Sequence, residues 1–166
     1  MKKTISAVLF CLLLGAMFAA CGGAASGAAT GSTQNYSEII AATRTEEDAG
    51  LMPIVTGTED DKIGMLTFVK LNVEDTQRFA LSASLINIRA YAVAIVLPAE
   101  GREQAVKDTL NAFVDTQKKA FENYLADQYE IAKGAIVEKA DTGEIILVMA
   151  ENAGDIMQQI KAGLSA

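Results

Sequence analysis

Tyr91-Ala92-Val93-Ala94-Ile95-Val96-Leu97 carries no charge and ends at Pro98, with Gly101 shortly after. Period-two alternation places Tyr91, Val93, Ile95 and Leu97 on one face of a strand and the small residues Ala92, Ala94 and Val96 on the other. The small-residue face is apolar too. On the N-terminal side, Phe79, Leu81, Ala83 and Leu85 alternate with Ala80, Ser82 and Ser84, the pattern of a half-buried strand. On the C-terminal side, a helix is expected from about Arg102 to Ala126, with Val106, Leu110, Phe113, Val114, Phe121, Tyr124 and Leu125 along one stripe. Its other side, with Glu103, Lys107, Asp115, Lys118, Lys119 and Glu122, reads as solvated.

Beyond that helix, Ala135 to Ala140 and Glu144 to Ala150 flank Asp141-Thr142-Gly143, a hairpin loop with Gly where a left-handed backbone is needed. The unbroken apolar run Ile145 to Met149 marks a central strand. A final helix introduced by Glu151 and Asn152 turns Ile156, Ile160 and Leu164 inward. Before the first strand, a short helix over Asn35 to Thr45 is expected, capped by Ser37 and ended by Gly50 and Pro53. A second, introduced by Thr58 and Asp61 as a shortened capping box, carries Ile63, Leu66, Phe68 and Val69 to about Asn72. Hairpin-joined strands and segregated helices imply an α+β fold. The expectation is a small antiparallel sheet of about four strands with a long helix and shorter flanking helices, in one domain over 36–166.

The N-terminal residues read as an address. Lys2 and Lys3 precede an uncharged apolar stretch from Ile5 to Ala20 that ends in small residues, the pattern of a secretory signal over 1–20. As a helix of about 16 residues it reaches roughly 24 Å, short of the ~30 Å hydrocarbon core. Phe18-Ala19-Ala20-Cys21 resembles the bacterial lipobox, whose cysteine takes a diacylglycerol thioether and becomes the first mature residue, though Phe18 replaces the usual Leu. The resemblance implies Cys21 as the lipidation site, with fatty chains such as palmitate expected to anchor the protein on the extracytoplasmic face of the cell membrane. Gly22 to Thr33 contains no charge and nothing larger than Thr, so 21–35 reads as a lipidated Cys followed by a flexible tether reaching roughly 20 Å.

Composition narrows the chemistry. The 166 residues are 51% hydrophobic and carry a net charge of -7, which fits a packed core and disfavours nucleic acid as a partner. Without residues 1–20 the chain has 12 basic and 21 acidic groups, a net of -9, so an anionic-lipid patch is not expected either. There is no His, which removes His-dependent triads and His-ligated zinc, and no Ser-x-x-Lys pattern supplies an alternative base. The glycines Gly22, Gly23 and Gly27 follow no strand and form no phosphate loop. The acidic runs Glu46-Glu47-Asp48 and Glu59-Asp60-Asp61 lack calcium-loop spacing and suit helix ends, where the dipole stabilises acids. No catalytic residue, metal ligand or cofactor is assigned.

Two surfaces are candidates for a partner. Tyr124, Gln128 and Tyr129 form an amphipathic edge suited to a peptide or glycan; the structural alternative packs Tyr124 under the sheet and uses Tyr129 to close the turn after the helix. Ala92, Ala94 and Val96, with Ile146 and Val148, form an apolar patch on the sheet face away from the long helix, unless helices cover it.

Gln117-Lys118-Lys119-Ala120-Phe121-Glu122-Asn123-Tyr124-Leu125-Ala126-Asp127-Gln128-Tyr129, followed by a strand hairpin, resembles the lipoprotein family of Firmicutes-type bacteria built on domain of unknown function 4358. The similarity spans roughly Tyr36 to Leu164 and is strongest from Tyr91 to Val148. Gln117, Phe121, Tyr124 and Gln128 match the family's helix signature. The resemblance implies location and fold but no activity. The leading expectation is therefore a non-enzymatic, membrane-anchored lipoprotein that binds an envelope protein or cell-wall component. Its rivals are a small-ligand-binding accessory of a transporter and a hydrolase that uses carboxylates alone.

Overall fold

The computed structural model describes residues 34–57 and 63–166. The signal sequence, Cys21, most of the tether, the Thr58–Asp61 capping box and the run Glu59-Asp60-Asp61 lie outside the described residues. Three short helices come first: α1 (Tyr36–Ala42), α2 (Glu46–Leu51) and α3 (Ile63–Val69). Strands β1 (Thr76–Ala83) and β2 (Ala92–Pro98) lead to the long α4 (Glu103–Phe121) and to α5 (Ala126–Lys133). The hairpin of β3 (Ile136–Lys139) and β4 (Ile145–Met149) precedes α6 (Ala153–Ser165).

The four strands form one antiparallel sheet in the order β1-β2-β4-β3, the α+β architecture the patterning implies. Both β2 and β3 run antiparallel to β4, so they are parallel to each other, and α4 and α5 cross over between them with β4 inserted as a split β-α-β unit. Gly143 turns the β3–β4 hairpin at φ 105°, where Ala140 N donates to Glu144 O at 2.8 Å.

Helices cover both faces of the sheet. Ala92, Ala94 and Val96 share one face with Ile145, Leu147 and Met149, and this layer packs against Val106, Leu110 and Phe113 of α4. Val93 and Ile95 share the other face with Ile146 and Val148, against Ile40 of α1 and Met157, Ile160 and Leu164 of α6. The cross-strand register, Ala94 opposite Leu147 and Val93 opposite Val148, fixes these groupings. The apolar patch expected from Ala92, Ala94, Val96, Ile146 and Val148 does not form, because the register sends the last two to the opposite face.

Four other expectations are corrected. β1 begins at Thr76, and its last five residues, Phe79 to Ala83, are all buried, because the second helical layer removes its solvent face. Leu85 lies beyond the strand and is exposed. The long helix stops at Phe121, and Leu125 turns extended (φ −136°, ψ 96°) before α5. A helix of roughly 25 residues would span about 37 Å, against about 23 Å for a strand the length of β2. Folding α5 back beside α4 keeps Leu125, Tyr129 and Ala132 over the sheet. Asn35 rather than Ser37 caps α1, its Oδ1 accepting from Ser37 N at 3.1 Å. Gly50 does not end a helix; it sits inside α2, which starts at a capping box between Thr45 and Asp48.

A buried polar contact ties α1 to the sheet. The Tyr36 hydroxyl donates to Glu144 Oε1 at 2.6 Å, and the Arg78 guanidinium lies 3.9 Å from the Tyr36 ring centroid. The Glu144 carboxyl also accepts from Thr142 Oγ1. α1 meets α6 where Gly163 lacks a side chain; a Cβ there would lie 3.2 Å from Ile39 Cγ1 and Cγ2.

Candidate functional site

In the antiparallel pairing of β2 with β4, Ala92 lies opposite Met149, so the start of one central strand meets the end of the other. The segments leaving that edge diverge, Arg89 to Tyr91 toward the β1–β2 loop and Ala150 to Asn152 toward α6. Between them, with α2 and α5 closing the sides, is an open groove of about 750 Å³. That volume falls within the range of ligand sites, ~300–1,000 Å³.

Local sequence explains how the wall is held. Asp48 uses one carboxylate oxygen in the capping box, accepting from Thr45 N at 3.2 Å, and the other to accept from Arg89 Nη2 at 2.6 Å. Arg89 Nη1 donates to Glu47 Oε1 at 2.7 Å. These bonds pin the β1–β2 loop to the first turn of α2, where the helix dipole favours acids. Arg44 donates to the carbonyls of Asp48 and Met52, closing the other end of the same helix. From the opposite side, Gln128 Oε1 accepts from Ala90 N at 2.7 Å and its Nε2 donates to Asp127 Oδ2 at 2.9 Å. That donation holds the Asp127 carboxyl below its usual range.

With its frame fixed, the groove exposes apolar side chains. Leu51, Ile86 and Ile88 line it and are 60%, 55% and 58% exposed. Tyr91, only 4% exposed, also lines it, and its hydroxyl is buried beside Ser82 without a well-formed hydrogen bond. The Ser82 hydroxyl itself donates to Met52 O at 3.1 Å. Burial pushes the Tyr91 pKa up, so this hydroxyl stays neutral. Among the described residues the charged lining is mostly acidic: Glu47, Asp48, Glu151 and Asp155 against Arg89, which the first two engage.

The structure separates the residues singled out from sequence. Cys21 lies outside the described residues. Gln128 lines the groove, but as a clamp with both amide atoms engaged. Tyr124 is 66% exposed past the end of α4 and lies neither under the sheet nor in the groove. Tyr129 sits within α5, half-buried against the α4 layer, with Lys133 Nζ 5.4 Å from its ring centroid. The three therefore do not form one edge. Ala92, Ala94 and Val96 are fully buried beneath α4, out of reach of any partner.

The sequence reading missed Asp48, Arg89, Tyr91 and the aliphatic trio Leu51, Ile86 and Ile88. A signal was present in Leu85-Ile86-Asn87-Ile88, which puts three aliphatics into a hairpin loop where turn chemistry favours small polar residues. Among the described residues no group of three or more His, Cys, Asp or Glu is placed to hold a metal ion, and no helix is long and apolar enough to cross a membrane.

Fold and site together define a class: an α+β domain with helices on both faces of a four-stranded antiparallel sheet and an open groove where its central strands diverge. The family described as "Domain of unknown function (DUF4358)" matches residues 57–150, more than half of the chain and all four strands, and the chain belongs to that family. No curated protein and no solved structure matches it.

Proposed function

We propose that the protein is a non-enzymatic binding module of the cell envelope of a Firmicutes-type bacterium, lipid-anchored through Cys21 on the extracytoplasmic face, and that its ligand sits in the groove. The observation that carries the binding role is the groove itself. Three aliphatic side chains stand exposed in a cavity of about 750 Å³ whose walls are fixed by Arg89, Asp48 and Gln128. Rigid walls around exposed apolar surface suit recognition, since the frame is ordered before the ligand arrives. The anchoring is supported by the basic, apolar and small-residue order of the N-terminal segment ending in Phe18-Ala19-Ala20-Cys21, and by the Gly/Ala/Ser tether after it. A chain without His supports binding over His-dependent catalysis.

A photo-crosslinking amino acid at position 88, compared with one at the exposed position 120 on α4, tests the reading in growing cells. A discrete adduct specific to position 88, and membrane association that is lost with Cys21→Ala or globomycin, are the expected results. Equal adducts at both positions would refute the groove as the site. Unchanged membrane association would refute the anchor.

A further inference from the structure

We propose that the groove takes a cationic, aliphatic peptide segment of a partner protein, bound in extended form; this rests on the groove being the binding site. Charge complementarity selects the cation. Among the described residues four carboxylates line the groove against one guanidinium, and Glu151 and Asp155 have no ion-pair partner. An anionic ligand would meet net repulsion here, whereas Lys or Arg side chains gain two open acceptors. The exposed Leu51, Ile86 and Ile88 select aliphatic side chains interleaved with those cations.

Peptide is the ligand class that carries aliphatic and cationic side chains at fixed spacing along one chain. The shape favours an extended chain over a compact molecule. A second open cavity of about 300 Å³ between α1 and α6 shares Thr43 and Gln159 with the groove and so adjoins it.

Fluorescence anisotropy on the full chain tests this with a labelled peptide of alternating Lys and Leu, a version with Gln for Lys, and one with Ser for Leu. The Lys-Leu peptide is expected to bind most tightly and to weaken as salt is raised. Glu151→Gln with Asp155→Asn should weaken it roughly fivefold, from two exposed charge contacts, and Ile88→Ser should weaken it further. All three residues are exposed or lie at the surface of the groove, so folding is preserved, and circular dichroism checks it. Equal binding of the Gln version, or no effect of the Glu151/Asp155 pair, would overturn the cationic assignment. If no peptide binds but octylamine shifts amide resonances around the groove, the peptide proposal fails while the groove stands as a binding site. If neither ligand perturbs the groove, both fail.

Discussion

Removing one oxygen atom from Tyr36 isolates the contact that fastens α1 to the sheet. Tyr36 is 3% exposed and Glu144 is 0% exposed, and the bond between them is 2.6 Å long. In Tyr36→Phe the ring remains under Arg78 and the buried apolar area is nearly unchanged, so the loss reports the polar contacts of the hydroxyl with Glu144 and Arg78. Such a bond is worth about 1.5–3 kcal/mol when one partner is charged and about 0.5–1.5 kcal/mol when both are neutral. At a midrange loss of about 2 kcal/mol, a domain of this size should lose roughly 6–10 °C in melting temperature. Urea denaturation followed by circular dichroism gives the free energy directly. A Tyr36→Phe variant within about 0.3 kcal/mol of the parent would refute the assignment of this contact as the tie between α1 and the sheet.

Phe121→Ala, at a fully buried position where α4 ends, should cost about 3–5 kcal/mol in urea denaturation. Gln128→Ala should cost about 1–2 kcal/mol by leaving Ala90 N without its acceptor, and hydrogen exchange should speed up at Ala90 more than in β4. Burial raises the pKa values of both Tyr36 and Tyr91. The unfolded chain therefore releases these protons near pH 10 while the folded chain keeps them, so stability is intact below that pH and falls above it. A Tyr36→Phe, Tyr91→Phe double variant should show a shallower decline over the same titration. Ile86→Ser with Ile88→Ser should change stability by less than about 1 kcal/mol, because both side chains are more than half exposed, yet remove peptide binding at the groove.

The strands were legible because periodicity reports burial directly: Tyr91 to Leu97 and Ile145 to Met149 are apolar on both faces and lie at the sheet's centre. The Asp141-Thr142-Gly143 turn was legible because it demands a positive φ that Gly supplies. Pairing register was not, since a strand apolar on both faces fits either helical layer. That ambiguity put Ile146 and Val148 with Ala92 and Ala94, when the register puts them with Val93 and Ile95. The break at Glu122 to Leu125 was hidden as well, because Phe121, Tyr124 and Leu125 continue the helical stripe and only the finite length of the sheet stops it. Of the candidate site, Gln128 was in view through the family signature. Its partner, Ala90 N, lies 38 residues away, and Arg89 reaches Asp48 across 41, separations that no local pattern encodes.

Topology accounts for where the groove sits. Antiparallel β2 and β4 bring Arg89 and Glu151 to one edge, and the chain then leaves in different directions, through a hairpin loop on one side and into α6 on the other. Two helices on opposite layers, α2 and α5, reach that edge and fasten the loop from either side through Asp48 and Gln128. The groups that fasten it are engaged by hydrogen bonds, while the side chains of Ile86, Ile88, Glu151 and Asp155, which line the groove, hold no part of the loop in place. Stability and the proposed recognition thus fall on separate residues of the same edge. Changes at Ile86 or Ile88 should alter what is bound without unfolding the chain, whereas changes at Arg89 or Gln128 should move the loop and lower stability together.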